Sequence, residues 1–303
     1  MSVSRVHVRV GATSANLGAG FDSLGLAWHL YDDIRAEVTP AGDSVVIEGE
    51  GADNLPTGAT HLILSTIRRE LDSLGADVPG LRLRCRNRIP QSRGLGSSAA
   101  ATVAAHAIVA ALTTPASKQI DRDRVFAAAA RDEGHPDNVA PCVFGGLTVS
   151  WLGSDGIADC ASLPVHPAAA FTCVIPQSTS ATAKARAVLP AEVPMADAVF
   201  NIAHASAMVA ALTLDPDLLL PAMDDRLHEN RRRRQWPASY ALVQQLRAVG
   251  VPACISGAGP TVLAAYPRSG ATKARRTIAM LAPATARVLH TRIDVDGVQI
   301  TRS

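Results

Sequence analysis

Neither sign of charge dominates this chain of 303 residues: 29 Lys and Arg stand against 27 Asp and Glu, a formal net charge of +2. Nothing in that balance calls for nucleic acid or an acidic membrane surface as partner. Aromatic residues are scarce at 4%, and alanine supplies much of the 48% hydrophobic share. No run reaches the ~18 uninterrupted apolar residues that mark a membrane span. The opening MSVSRVHVRV alternates like a strand and lacks the apolar core of a signal peptide. Five cysteines (Cys85, Cys142, Cys160, Cys173, Cys254) form no CxxC pair and are too scattered for a zinc knuckle. Their odd number and apolar neighbours fit reduced thiols in a cytoplasmic protein. Two phosphate-binding signatures are also missing. No GxxxxGK occurs, and no GxGxxG, which removes the common P-loop and argues against a dinucleotide-dependent oxidoreductase.

What is present centres on residues 89–112, IPQSRGLGSSAAATVAAHAIVAAL. Leu81, Leu83, Cys85 and Ile89 alternate with arginines as a strand does, then Gly94 and Gly96 make a turn, and an Ala-rich helix follows. Glycine lets a ligand approach the main chain, and the free N–H groups at a helix start favour an anion. Ser97 and Ser98 either cap that helix or reach a phosphate or metal ion. A phosphate cradle and an ordinary strand-to-helix turn both fit this stretch taken alone.

The rest of the chain reads as alternating strands and helices without regular βαβ repeats. Val6, Val8 and Val10 form a half-buried strand. It runs into residues 11–27, GATSANLGAGFDSLGLA, either an elaborate turn or a ligand-binding segment. Strands are expected near 33–38 and 44–48, and helices over 59–75 and 122–132, the latter halted by Pro136. A strand over 144–151 and a turn over 153–156 follow. Beyond Leu163 the expectations are strands at 169–176, 251–255, 262–266 and 287–295, with helices at 196–212, 217–227, 238–249 and 271–281. The division falls near 150–167, giving segments 1–155 and 165–303.

Three Gly-containing stretches stand in order, residues 11–27, 90–100 and 256–261, and together they resemble the three motifs of the GHMP small-molecule kinases. ATSANLGAGFDSLGLA and EGHPDNVAP are similar to the homoserine kinase branch of that superfamily. The resemblance implies an α+β, two-domain GHMP kinase fold. Its N-terminal half resembles ribosomal protein S5 domain 2, its C-terminal half a ferredoxin-like sandwich, and the active site lies between them. The implied reaction is ATP-dependent phosphorylation of the side-chain hydroxyl of L-homoserine, with Mg²⁺, in a cytoplasmic homodimer. A related kinase acting on L-threonine or another small hydroxy-acid is the near alternative. A non-catalytic nucleotide or amino-acid sensor on the same scaffold is the alternative from another class.

The same resemblance assigns residues. Pro90, Arg93, Gly94, Leu95, Gly96, Ser97, Ser98, Ala99 and Ala100 wrap the ATP phosphates. Ser98 and Glu133 hold the metal, and His61 stands where an Asn near the adenine is common. Asn16, Asp22 and Asn138 match contacts to the amino group and hydroxyl of the acceptor. Thr182 and Arg186 match a Thr and a carboxylate-binding Arg in the second half, and spacing selects Arg232 from the run Arg231–Arg234 as the second such Arg. Asp22, Asn138 and Thr182 carry the catalytic assignment, with Asp22 either orienting the acceptor or taking up its proton. Asp137 and His135 are expected to support the loop that presents Asn138. Ala19, Lys184 and the sequence His228-Glu229-Asn230 depart from the family's usual wording.

Overall fold

In the computed structural model, which describes residues 3–179 and 182–303 and no side chain from 180 to 184, the valine alternation becomes the inward face of β1 (Arg5–Asn16). That strand does not stop at Gly11. It runs on to Asn16 and turns through residues 17–19 into the long strand β2 (Gly20–Thr39), its antiparallel partner. The stretch read as either an elaborate turn or a ligand-binding segment is mostly β-hairpin, with register shifts at Gly11/Ala12 and Ala15/Asn16. Its small residues serve close approach: β1 is buried on both faces from Val10 onward, so large side chains have no room there.

β2 pairs antiparallel with β4 (Gly80–Asn87), which pairs parallel with β3 (Gly42–Gly49) across a crossover carrying α1 (Leu62–Ser73). The hairpin of β5 (Leu147–Leu152) and β6 (Ala158–Leu163) branches from the first half of β2. Beneath the sheet lies α2 (Ser97–Thr113), buried almost all round, as an Ala-rich helix with no polar face must be. It packs against β1, α1 and α3 (Arg122–Glu133). Gly134, at φ 77°, closes α3 before Pro136 is reached. A short helix, α4 (Val139–Phe144), takes Phe144 from the expected strand over 144–151. Gly145 and Gly146, both at positive φ, delay β5 to Leu147.

The second sheet begins at β7 (Ala169–Ile175). After it come α5 (Thr182–Ala187), α6 (Met195–Thr213), α7 (Leu219–Ala222), α8 (Glu229–Arg232) and α9 (Pro237–Ala248), then β8 (Ala253–Ile255) and β9 (Val262–Pro267). Helix α10 (Ala271–Leu281) leads to β10 (Arg287–Thr291). The order β10-β7-β9-β8, antiparallel throughout, is the fourth, first, third and second strand of this half, as in a ferredoxin-like sandwich. The helix expected over 217–227 is only a 3-10 turn (Pro216–Leu218) and the single turn of α7. Pro221 sits within that turn and cannot donate back to Asp217, and beyond it the Asp225 carboxylate collects the N–H groups of Leu227, His228 and Glu229. The last expected strand stops at Thr291, and the chain crosses back so that β11 (Gln299–Arg302) lies beside β1 in the first sheet. The expected segment 165–303 therefore does not stay within one sheet.

One apolar core runs through both sheets: Trp28 of β2 meets Phe171 of β7 at a ring separation of 5.2 Å. α6 is long and apolar enough, by length and composition, to cross a membrane. Asp197, Asn201 and His204 interrupt it, which is why no uninterrupted run showed in the sequence. Its buried Asn201 donates to the Ala19 carbonyl (3.2 Å) and Asp225 (2.8 Å) and accepts from the Arg226 N–H (2.9 Å). Those bonds fasten α6 to the β1–β2 turn and to the loop before α8.

Candidate active site

The three Gly-containing stretches converge because they hydrogen-bond to one another. Thr13 N–H donates to the Leu95 carbonyl (3.0 Å), Gly257 N–H to Ala15 (3.0 Å) and Thr261 N–H to Arg93 (3.2 Å). Trp28 donates its indole N–H to Ser14 Oγ (2.8 Å); that oxygen is 2.6 Å from Ser256 Oγ, which lies 2.5 Å from the Gly94 carbonyl. Gly94 and Gly96 take φ values of 74° and 68°. A Cβ on Gly96 would run into Thr13 Oγ1, and one on Gly94 into the Ser256 carbonyl.

Gly96 is also the N-cap of α2 and supplies no side-chain cap. Ser97 and Ser98 therefore do not serve as the cap, and the first-turn N–H groups stay open toward a cleft of about 740 Å³, counted to its mouth. Ser98 donates instead to Glu133 Oε1 (2.8 Å), which Thr102 also reaches (2.9 Å). Hydroxyl and carboxylate oxygens side by side suit a hard divalent cation such as Mg²⁺.

The opposite wall carries the groups for a small polar molecule. Asn138 Oδ1 accepts from Thr13 (2.8 Å) while its amide donates to Asp137 (3.2 Å), and His135 Nδ1 meets the same Asp137 oxygen (3.1 Å). That hydrogen bond raises the His135 pKa against the opposing effect of burial. His135 and Asp137 thus brace Asn138 as expected, and they line the cleft as well. Asp22 forms a forked ion pair with Arg186, at 2.8–2.9 Å. Arg232 is 3% exposed and has no carboxylate in ion-pair contact among the described residues. Its Nε donates to the Ala185 carbonyl (2.9 Å), Nη1 lies 3.3 Å from His228 Nδ1, and burial pulls its pKa down, partly offset by the charge of Asp22. Both guanidinium groups lie over the Phe21 ring, at 5.7 Å for Arg186 and 5.3 Å for Arg232, and His228 stacks on that ring.

Other expected residues are placed differently. Arg93 does not line the cleft: its guanidinium donates to the carbonyls of Pro176, Gln91 and Gln177, tying the loop to the end of β7. Pro90, Leu95 and Ala100 are buried and shape the loop from behind. Asn16 lines the cleft with its carboxamide engaged at both ends, donating to Gly257 (2.8 Å) and accepting from Asp22 N–H (3.0 Å). Thr182 begins α5, but its side chain lies outside the described residues. Unforeseen lining comes from Ser92, at φ 55°, and the third motif adds Gly257, Ala258 and Gly259 to the cleft.

A second cavity of about 820 Å³ adjoins the first, sharing Ser92, Ser97 and Ser98, with Leu55, Pro56, Ile34 and Ile63 as apolar walls. His61 lines it with a buried Nδ1 that has no hydrogen-bond partner among the described residues, and burial lowers its pKa. Asp32 lines it too. Its Oδ1 accepts the N–H groups of Arg88 (2.5 Å) and Ile89 (2.9 Å), and burial still pushes its pKa up to about 6. A carboxyl whose pKa is raised by folding makes stability fall as pH climbs from its unfolded value toward 6. Asp32→Asn keeps the carbonyl for both N–H groups and removes that loss. Denaturant titration should show a gain of roughly 2–3 kcal/mol at pH 8 and almost none at pH 4. Equal gains at both pH values would remove burial of the charge as the cause.

The family profile described as the GHMP kinases N terminal domain matches residues 57–146, and that described as GHMP kinases C terminal matches residues 207–280. Homoserine kinase of Streptomyces avermitilis is 46% identical over 273 residues, 89% of this chain and 88% of its own. That of Mycolicibacterium smegmatis is 44% identical over 86% of this chain and 84% of its own. The chain belongs to the homoserine kinase family of the GHMP kinases. The crystal structure of homoserine kinase from Cytophaga hutchinsonii matches with a TM-score of 0.85 at 26% identity, covering 99% of this chain and 98% of that one. Mevalonate kinase of L. major shares the fold at a TM-score of 0.70 and 19% identity, over 93% of this chain and 94% of its own.

Proposed function

We propose that this chain transfers the γ-phosphoryl group of ATP to the side-chain hydroxyl of L-homoserine, giving O-phospho-L-homoserine and ADP. One observation carries the reading: the uncapped start of α2 and the buried Arg232, which has no carboxylate partner among the described residues, face the same cleft. The first suits phosphates, the second a small carboxylate, and an amino-acid kinase needs both.

The N–H groups of Ser97, Ser98 and Ala99 and the loop at Gly94 and Gly96 hold the phosphates, with no loop lysine required. Ser98 and Glu133 hold Mg²⁺, which supplies charge neutralisation at the phosphates when bound. His61 faces the base in the adjoining cavity. Arg186 and Arg232 take the acceptor's carboxylate, each able to hold both oxygens. Asn138, set by Thr13 and Asp137, aims the hydroxyl, and Thr182, the first residue of α5, is assigned to the acceptor as well. Asn16 acts chiefly by fixing the backbone of Asp22, the carboxylate left for the acceptor's ammonium or hydroxyl. Phosphoryl transfer depends mostly on positioning and charge stabilisation, so these groups suffice without a strong base. A cytoplasmic homodimer is the expected assembly.

The test is ADP release with homoserine, threonine, shikimate and mevalonate as acceptors. Homoserine should give the highest kcat/KM. Turnover of another acceptor with homoserine at background would overturn the substrate, and nucleotide binding without turnover of any acceptor would favour a sensor.

A further inference from the structure

The Asp22–Arg186 pair places a carboxylate of the protein on an arginine of the acceptor site. Asp22 belongs to β2 and Arg186 to α5, and the fork is formed by both terminal guanidinium nitrogens. The backbone of Asp22 is fixed: φ is 55° and its N–H is bound to Asn16 Oδ1 (3.0 Å). Only its carboxylate is free to swing. Arg232 stands on the same Phe21 ring and, among the described residues, has no carboxylate in ion-pair contact, so of the two guanidinium groups on that ring only Arg186 is paired, with Asp22.

We propose that this pair is a specificity latch, opened when the acceptor's carboxylate replaces Asp22 on Arg186 and frees Asp22 for the acceptor's ammonium or hydroxyl. The exchange swaps like for like. Arg186 keeps a carboxylate, Arg232 gains a share of one, and Asp22 trades a guanidinium for a cationic or hydroxyl partner on the acceptor. Were Asp22 to stay, an arriving carboxylate would meet a like charge beside the same guanidinium. An acceptor without a carboxylate leaves Asp22 engaged, so it is selected against at the step that positions its hydroxyl, beyond any loss of binding. This inference rests on the reading of Arg186 and Arg232 as the acceptor's carboxylate site.

Two measurements test it. The first is ADP release with 3-aminopropan-1-ol, homoserine stripped of its carboxylate, with formate added and with chloride at matched ionic strength as control. Formate should raise kcat on this acceptor several-fold; no rise above the chloride control would overturn the latch. The second is calorimetric binding of butyrate, a carboxylate without amine or hydroxyl, to the wild type and to Asp22→Asn. Both pair members are partly solvent-exposed, so the competition removed is modest, and butyrate should bind several-fold tighter to the variant, up to about tenfold. Equal or weaker binding would mean that Asp22 never competes for the site. The butyrate measurement does not depend on homoserine turnover. Phosphorylation of homoserine with unchanged butyrate binding would sink the latch and leave the proposed reaction standing. Tighter butyrate binding without homoserine turnover would do the reverse.

Discussion

Glu133→Gln should lower kcat by about 10²–10³-fold while nucleotide still binds, because the substitution strikes a charge needed in the transition state more than in the ground state. The variant should fold normally. Glutamine keeps an oxygen at the place where Ser98 and Thr102 donate, at 2.8 and 2.9 Å. What it loses is the negative charge that, with Ser98, makes an oxygen site for Mg²⁺. The expected signature is a lower kcat together with a higher Mg²⁺ concentration for half-maximal rate, and metal-free nucleotide binding near wild type. Turnover within about threefold of wild type at low Mg²⁺ would remove Glu133 from the metal site and reduce it to a support for Ser98 and Thr102.

Arg232→Ala should act on the other substrate. The guanidinium is buried, held by the Ala185 carbonyl and beside His228, with no carboxylate of the described protein to neutralise it. Burial of such a charge is unfavourable unless a ligand completes it. Removing it should raise the homoserine KM by roughly 30-fold to several thousand-fold, the equivalent of about 2–5 kcal/mol at a buried charged contact, with the ATP KM nearly unchanged. Arg232→Lys separates binding from mere filling: it keeps charge and bulk but not the planar fork, so its homoserine KM should fall between the two. A homoserine KM unmoved in both variants would place the carboxylate elsewhere.

How far such residues can be read in advance depends on whether their reason is local. Gly94, Gly96 and Ser98 are legible because a positive-φ turn into a helix restricts residue choice within a few positions. The hairpin of β1 and β2 is not: Gly11 and Ser14 look like turn formers, yet the small residues along β1 serve a strand covered on both faces. Arg93 looks like a phosphate ligand until β7 brings the carbonyls of Pro176 and Gln177 to it. Phe21 gives no signal of its own, because the residues that define its role arrive from positions 186, 228 and 232. β11 is four residues long and its partner strand lies almost the whole chain away, so only tertiary packing can specify it. In the stretch 217–227, helical spacing of apolar residues is overruled by Pro221 and by the demand of Asp225 for backbone donors.

The hydrogen-bonded line from Trp28 through Ser14 and Ser256 to the Gly94 carbonyl joins the only deeply buried indole of β2 to the back of the phosphate loop. Trp236 lies against Gly259 of the third motif, which adjoins Gly94, whereas Trp151 is 45% exposed on β5, next to Ser150, which is hydrogen-bonded to Ser23 beside Asp22. The molecule therefore carries its own optical reporter. Two buried indoles sense the two loops through hydrogen bonds and packing, and the third, open to aqueous quenchers, can be silenced by them so that ligand-induced changes in the emission of the buried pair are read without any label.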